Sequence, residues 1–153
     1  MEFVQQVLQF TAILAGWIVV HKLSVRREID KGRRELVAKV TDELVNDIRE
    51  LYLQAKEYHT NTRNTELSEN IKFSLQDIAT RANLLHGSVL NLADLRVCTQ
   101  AISNLRRAIT GEHFEDAHDG PKKISDSQMY KINQAALRAQ RVHFNLKLKQ
   151  FSA

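Results

Sequence analysis

The sequence predicts an all-α protein: an N-terminal transmembrane helix continuing into a long helix, then a small cytosolic helical bundle. Three observations carry this. Apolar residues recur in steps of three, four and seven along most of the chain, the spacing of one helix face. No segment shows the alternation of a strand. The 153 residues include only five Gly and one Pro, whereas an antiparallel sandwich or barrel needs turn residues every ~8–12 positions. Apolar residues make up 43% and charged residues 26%, a balance that supports a packed core and excludes wholesale disorder. The single Cys98 excludes an internal disulfide framework and a Cys-cluster zinc site.

The first element is the apolar start. Phe3 to Val20 (FVQQVLQFTAILAGWIVV) contains no ionisable side chain, and as a helix it spans ~27 Å against a hydrocarbon thickness of ~30 Å. Residues 21–34 hold six Lys/Arg and two acids, and the rest of the chain has sixteen of each. The whole basic excess of +4 therefore follows the apolar stretch directly. That pattern predicts an anchor over 1–22 in the cell inner membrane, with the N-terminus outside and the C-terminus in the cytoplasm. Trp17, Lys22, Arg26 and Arg27 are the expected interface residues. A cleaved signal peptide lacks its basic start here, because no cation precedes Lys22. A buried core helix and an in-plane amphipathic helix are the other readings of this stretch. Glu2, Gln5, Gln6 and Gln9 share one face that continues through Ala12 and Gly16. Amides avoid lipid, and Ala12-x-x-x-Gly16 lets helices approach closely, so Gln5, Gln9, Ala12 and Gly16 are the expected self-association or pore face. Residence of Gln5 and Gln6 in the outer headgroups explains the same pattern without a pore.

From Val25 a second stripe runs through Ile29, Leu36, Val40, Leu44, Ile48, Leu51, Ala55 and Tyr58, predicting a juxtamembrane helix over 23–59, with a break or kink at Gly32. The polar stretch 59–65 reads as a linker into a bundle over 60–153. A helix over 66–86 places Leu67, Ile71, Leu75, Ile78, Ala82 and Leu85 on one face, with Gly87 as its C′ residue. The next, over 88–110, aligns Leu92, Leu95, Cys98, Ile102, Leu105 and Ile109 and ends at Gly111. After the loop 111–124, Ser125 to Gln128 form a capping box, with Ile124 and Met129 as the staple. A last helix should start at Asp126 and run towards Phe151, carrying Met129, Ile132, Ala136, Ala139, His143 and Leu146.

Chemistry-bearing clusters are few. Arg81-Ala-Asn-Leu-Leu-His86 resembles the Arg-x4–6-His signature of helical nucleases of the HEPN superfamily. The resemblance implies a dimer-interface ribonuclease site in which His86 takes a proton from a ribose hydroxyl and Arg81 stabilises phosphorane charge. A histidine at a helix C-terminus also complements the macrodipole with no catalytic role. His113, Glu115, Asp116, His118 and Asp119 crowd one loop, which reads either as divalent-metal ligands or as a solvated acidic loop; no metal site is assigned. Lys131, Arg138, Arg141, Lys147 and Lys149 make the last helix basic on part of its surface. Aromatic residues for base stacking are sparse there, so nucleic acid is not an expected partner. No phosphate loop or nucleophile elbow is present, and no cofactor is expected.

The layout of FTAILAGWIVVHKLSVRRE followed by a helical remainder resembles small bacterial single-span membrane proteins of mobile and phage-defence islands. That resemblance implies an antiviral membrane effector or regulator working with a partner encoded nearby. The functional expectation is an oligomeric single-pass protein whose bundle binds a cytosolic protein partner. The alternatives are the membrane-tethered ribonuclease and a structural scaffold assembled by a coiled coil of the long helix. Enzymatic activity is left open, with the balance against it.

Overall fold

The computed structural model describes residues 2–61, 64–89, 92–111, 114 and 125–151, with side chains described throughout these ranges except at 2–9, 12, 86–89, 92, 150 and 151. All secondary structure among the described residues is α-helical, with no strand: α1 (Glu2–Thr60), α2 (Thr65–Val89), α3 (Leu92–Thr110) and α4 (Asp126–Phe151). The chain divides into two compact units, Met1–Leu36 and Val37–Ala153.

In the first unit every described side chain from Phe10 to Leu36 is exposed. Among the described residues no helix is long and apolar enough to cross a membrane, so the expected transmembrane character of α1 is not a property the fold displays. The physical reason is length. The uninterrupted apolar run, Phe10–Val20, is eleven residues, or ~16 Å of helix, about half the hydrocarbon thickness. The remaining part of the expected span, 3–9, and Ala12 lie outside the described side chains. Gly32 does not break the helix: α1 runs through it, and a Cβ built there would meet nothing within 4 Å. A cost of ~1 kcal/mol against Ala is too small to end a helix that both flanks continue.

The second unit is an up-down-up-down four-helix bundle of residues 37–60 of α1 with α2, α3 and α4. Cross-helix contacts fix the directions. Lys147 pairs with Asp42 at 2.6 Å and Gln140 Nε2 donates to the Val45 carbonyl at 3.4 Å, so α1 and α4 are antiparallel. Lys149 reaches Asp94 at 2.9 Å, and Gln128 Nε2 donates to the Ala108 carbonyl at 2.9 Å, so α3 and α4 are antiparallel as well. Arg81 of α2 meets Asp47 of α1 at 2.9 Å, and α2 packs along α3. α1 and α3 thus each border α2 and α4, and the C-terminal end of α1 also reaches α3.

The core follows the predicted stripes. Leu44, Ile48, Leu51, Ile71, Ile78, Leu105, Ile109 and Ile132 are at most 1% exposed, while Ala55, Ala82, Ala101, Ala136 and Ala139 let the backbones close in. The first part of the long stripe departs from expectation. Val25, Ile29 and Leu36 are exposed, and packing within the second unit starts at Val37.

Helix ends carry three findings. Asn64 caps α2, its Oδ1 accepting from Leu67 N at 3.0 Å; α2 then runs through Gly87 to Val89, past the predicted C′ stop, and α3 begins four residues later than predicted. Gly111 follows α3, where a Cβ would lie 2.7 Å from the Arg107 carbonyl oxygen, a close approach only Gly permits without adjustment. Ser125 caps α4, its Oγ accepting from Gln128 N at 3.2 Å. Gln128, 8% exposed, donates from its amide nitrogen to the Ala108 carbonyl in the last turn of α3, a tertiary bond added to the cap. Ile124 of the predicted staple lies outside the described residues.

Candidate functional site

The N-terminal unit presents apolar side chains on every side. Phe10, Ile13, Leu14, Trp17, Ile18, Val19, Val20 and Leu23 are 45–70% exposed, and at 100° per residue they cover the full circumference. Trp17 stacks on His21, ring centroids 5.4 Å apart and planes 3° from parallel, one turn before the cations begin. Lys22, Arg26 and Arg27 are exposed, with Lys31 only loosely held by Glu35 at 3.9 Å. Gly16 has open space around it; Gln5, Gln9 and Ala12 fall outside the described side chains.

Arg81 occupies a different setting from the one the nuclease signature needs. Its guanidinium is held by Asp77, one turn earlier on α2, and by Asp47 across the groove on α1. The hydrogen bond it donates to Asp77 raises its affinity for the proton, with partial burial opposing. Asp47 is pushed up by burial, countered by Arg81, while Glu50, Asp77 and Glu43 push it further. Two carboxylates thus spend the positive charge that would have met a phosphorane. The His86 side chain lies outside the described residues. Asp77 was legible in the sequence as an i, i+4 partner of Arg81; Asp47, thirty-four positions away, was not.

Two histidines lie in the core. His59, 1% exposed, donates from Nε2 to the Ile109 carbonyl at 3.0 Å and tilts against Phe114 with centroids 6.2 Å apart. His143, fully buried, donates from Nδ1 to the Ala139 carbonyl at 2.7 Å; burial lowers its affinity for the proton, which the Ala139 bond partly offsets. Among the described residues no group of three His, Cys, Asp or Glu side chains is placed to hold a metal ion, and the predicted loop cluster of His113, Glu115, Asp116, His118 and Asp119 lies outside them.

A cleft of about 550 Å³ lies between α2 and α3, lined by Lys72, Gln76, Thr80, Asn83 and Arg106 over a floor of Leu75, Ala79 and Phe114. Its hydroxyls are turned to their own helices: Thr80 donates to the Gln76 carbonyl and Thr110 to that of Arg106, each at 2.9 Å. Lys72 is held by Glu69 at 2.9 Å.

No protein family matches the sequence, and no characterised protein and no solved structure shows significant similarity to it.

Proposed function

We propose that this chain is a membrane-anchored, self-associating helical protein whose bundle docks a cytosolic protein partner, the anchor transmitting that event to the bilayer. The observation that carries the reading is the N-terminal helix: eight large apolar side chains around its whole circumference, each at least 45% exposed, followed at once by cations. Burying such side chains releases ~1.5–3 kcal/mol each when complete; with half their surface still wet, on the order of 10 kcal/mol awaits a surrounding that covers every face at once. Lipid does so, and the positive sequel fits the cytoplasmic leaflet. The layout shared with small single-span proteins of phage-defence islands extends the proposal to a membrane effector or regulator. The ribonuclease alternative has nothing comparable in its favour, since Arg81 is already engaged by Asp47 and Asp77.

The test is extraction of membranes from cells making the full chain. The protein should stay in the pellet after alkaline carbonate and dissolve only in detergent. Ile18→Lys with Val19→Lys should move it to the aqueous fraction while the bundle keeps its helical circular dichroism. Release of the unaltered chain by carbonate alone would refute the anchor.

A further inference from the structure

We propose that copies of this chain join head to tail, the base-flanked apolar stripe on α4 of one copy seating against the acid-lined edge of α1 and α2 on the next. The inference rests on the self-association reading above and gives it an interface.

The first face is the outer side of α4. Tyr130, Leu137 and Phe144 are 64%, 48% and 48% exposed and recur every seven residues. Gln134 and Arg141 fall between them, completing the alternating four-three spacing of a helix-to-helix seam. This face stands about 130° around the helix from that of Ile132, Ala136, Ala139 and His143, which fill the core, so α4 carries apolar side chains on two separate sides. A helix serving one core needs only one such side. Beside the stripe stand Lys131 and Arg138. Lys147 and Lys149 are spent on Asp42 and Asp94 within the bundle, whereas Lys131, Arg138 and Arg141 form no ion pair among the described residues.

The second face lies on another side of the bundle. Glu43, Asp47 and Glu50 of α1 face Asp77 of α2, with Arg81 the cation set between them. Glu50, Asp77 and Glu43 raise the proton affinity of Asp47 against the larger opposing effect of Arg81, and Lys39 stands 4.0 Å from Glu43, so four carboxylates here face two cations. Phe73, 67% exposed, stands one turn before Asp77 and offers the apolar contact. Glu43 and Glu50 are seven residues apart, as are Lys131 and Arg138; both pairs repeat at ~10.5 Å along their helices, so the charges can meet in register.

Complementarity selects the occupant. Two α4 stripes set against each other with their basic edges adjoining would oppose cations to cations. A bilayer surface would attract the cations but would take Arg141, in the middle of the stripe, towards hydrocarbon. The acidic edge of another copy gives Arg141 a carboxylate and the stripe an aromatic neighbour. Because the two faces differ, the contact is heterologous. Each copy offers one face of each kind, and the assembly grows into a ring or a filament according to the rotation between copies.

The experiment uses two full-length chains with different tags, made in the same cells, one carrying Leu137→Cys and the other Phe73→Cys. The native Cys98 is fully buried and its thiol is pushed up to about 12 by burial, so it stays silent to maleimides. A short bis-maleimide applied to membranes should link the two tags. Lys131→Glu with Arg138→Glu in the first chain should lower the yield at least tenfold, and Glu43→Lys with Glu50→Lys in the second should restore it. Failure of the restoration, linkage between two Leu137→Cys chains, or absence of any mixed product would overturn the proposal. Loss of binding to phosphatidylserine vesicles on the Lys131/Arg138 reversal, with no mixed product, would assign the stripe to the bilayer and also overturn it. The mass of the unaltered protein in detergent separates the two failures. An oligomer without the mixed linkage leaves self-association standing, whereas a monomer removes it.

Discussion

His143 gives the bundle a defined response to acid. The imidazole is fully buried, and burial, opposed by the Ala139 hydrogen bond, holds its proton affinity below the ordinary value of 6.5. The sign follows from which state binds the proton. Between the folded value and 6.5 the unfolded chain takes up a proton that the folded chain refuses, so acid favours unfolding. The contribution of this group is complete above about 6.5 and is lost as the pH falls from there towards the folded value. One proton per pH unit is worth at most about 1.4 kcal/mol. Between pH 7.5 and 5.5 the bundle should therefore lose up to ~1.4 kcal/mol from His143, a fall of ~6 °C in Tm at about 4 °C per kcal/mol for a domain of this size. The assay is thermal unfolding followed by circular dichroism, with His143→Leu as the reference. Leucine has nearly the same volume and carries no charge, and the Ala139 carbonyl keeps its position in the helical ladder of α4. The variant should show a shallower fall over the same interval. Equal slopes for both proteins would refute the burial argument, since the acid response would then come from other groups.

Two further outcomes follow from helix ends and interiors. Gln128→Ala removes the bond to the Ala108 carbonyl and should cost ~1–2 kcal/mol, read as a fall in Tm; Gln128→Glu keeps the shape but cannot donate, so it should cost at least as much, and a neutral Gln128→Glu would show that the bond contributes nothing. Gly32→Ala meets no atom within 4 Å and should stabilise α1 locally by up to ~1 kcal/mol, seen as slower amide exchange over residues 29–35; unchanged exchange would mean that the chain around Gly32 is not helical in solution.

How much of this fold the residues announce differs from element to element. The stripes of α2, α3 and α4 were legible because each helix has one core-facing side, and burial at Ile71, Ile78, Leu105 and Ile132 needs only a period of 3.6. The start of α4 was legible because Ser125 makes a local bond. The fate of Gln128 was not, because its partner Ala108 belongs to another helix. The same division separates Asp77, a local partner of Arg81, from Asp47, a tertiary one. Gly87 signalled a stop that α2 ignores; a single glycine costs only ~1 kcal/mol. His59 sits within a polar run, HTNTRNT, which reads as a linker, yet it is core. The acceptor at Ile109, supplied by α3, satisfies one nitrogen of the buried imidazole.

The stripe beginning at Val25 shows why periodicity alone could not locate the bundle's edge. Val25, Ile29 and Leu36 hold the same register as Leu44 and Ile48, yet the first three are exposed and the last two are fully buried. Sequence spacing records that a helix has an apolar side; it does not record whether anything stands beside it. For residues 44–58 the answer lies within the chain, in α2, α3 and α4. For Phe10 to Leu36 nothing within the first unit covers the side chains, and local terms alone are a weak basis for helix there: β-branched Ile13, Ile18, Val19, Val20, Val25 and Ile29 and two glycines all disfavour it relative to Ala. In a bilayer the balance reverses, since an unpaired peptide group in hydrocarbon costs several kcal/mol and only the helix satisfies them all. The features that make this segment a poor helix in water are therefore compatible with a stable one in lipid.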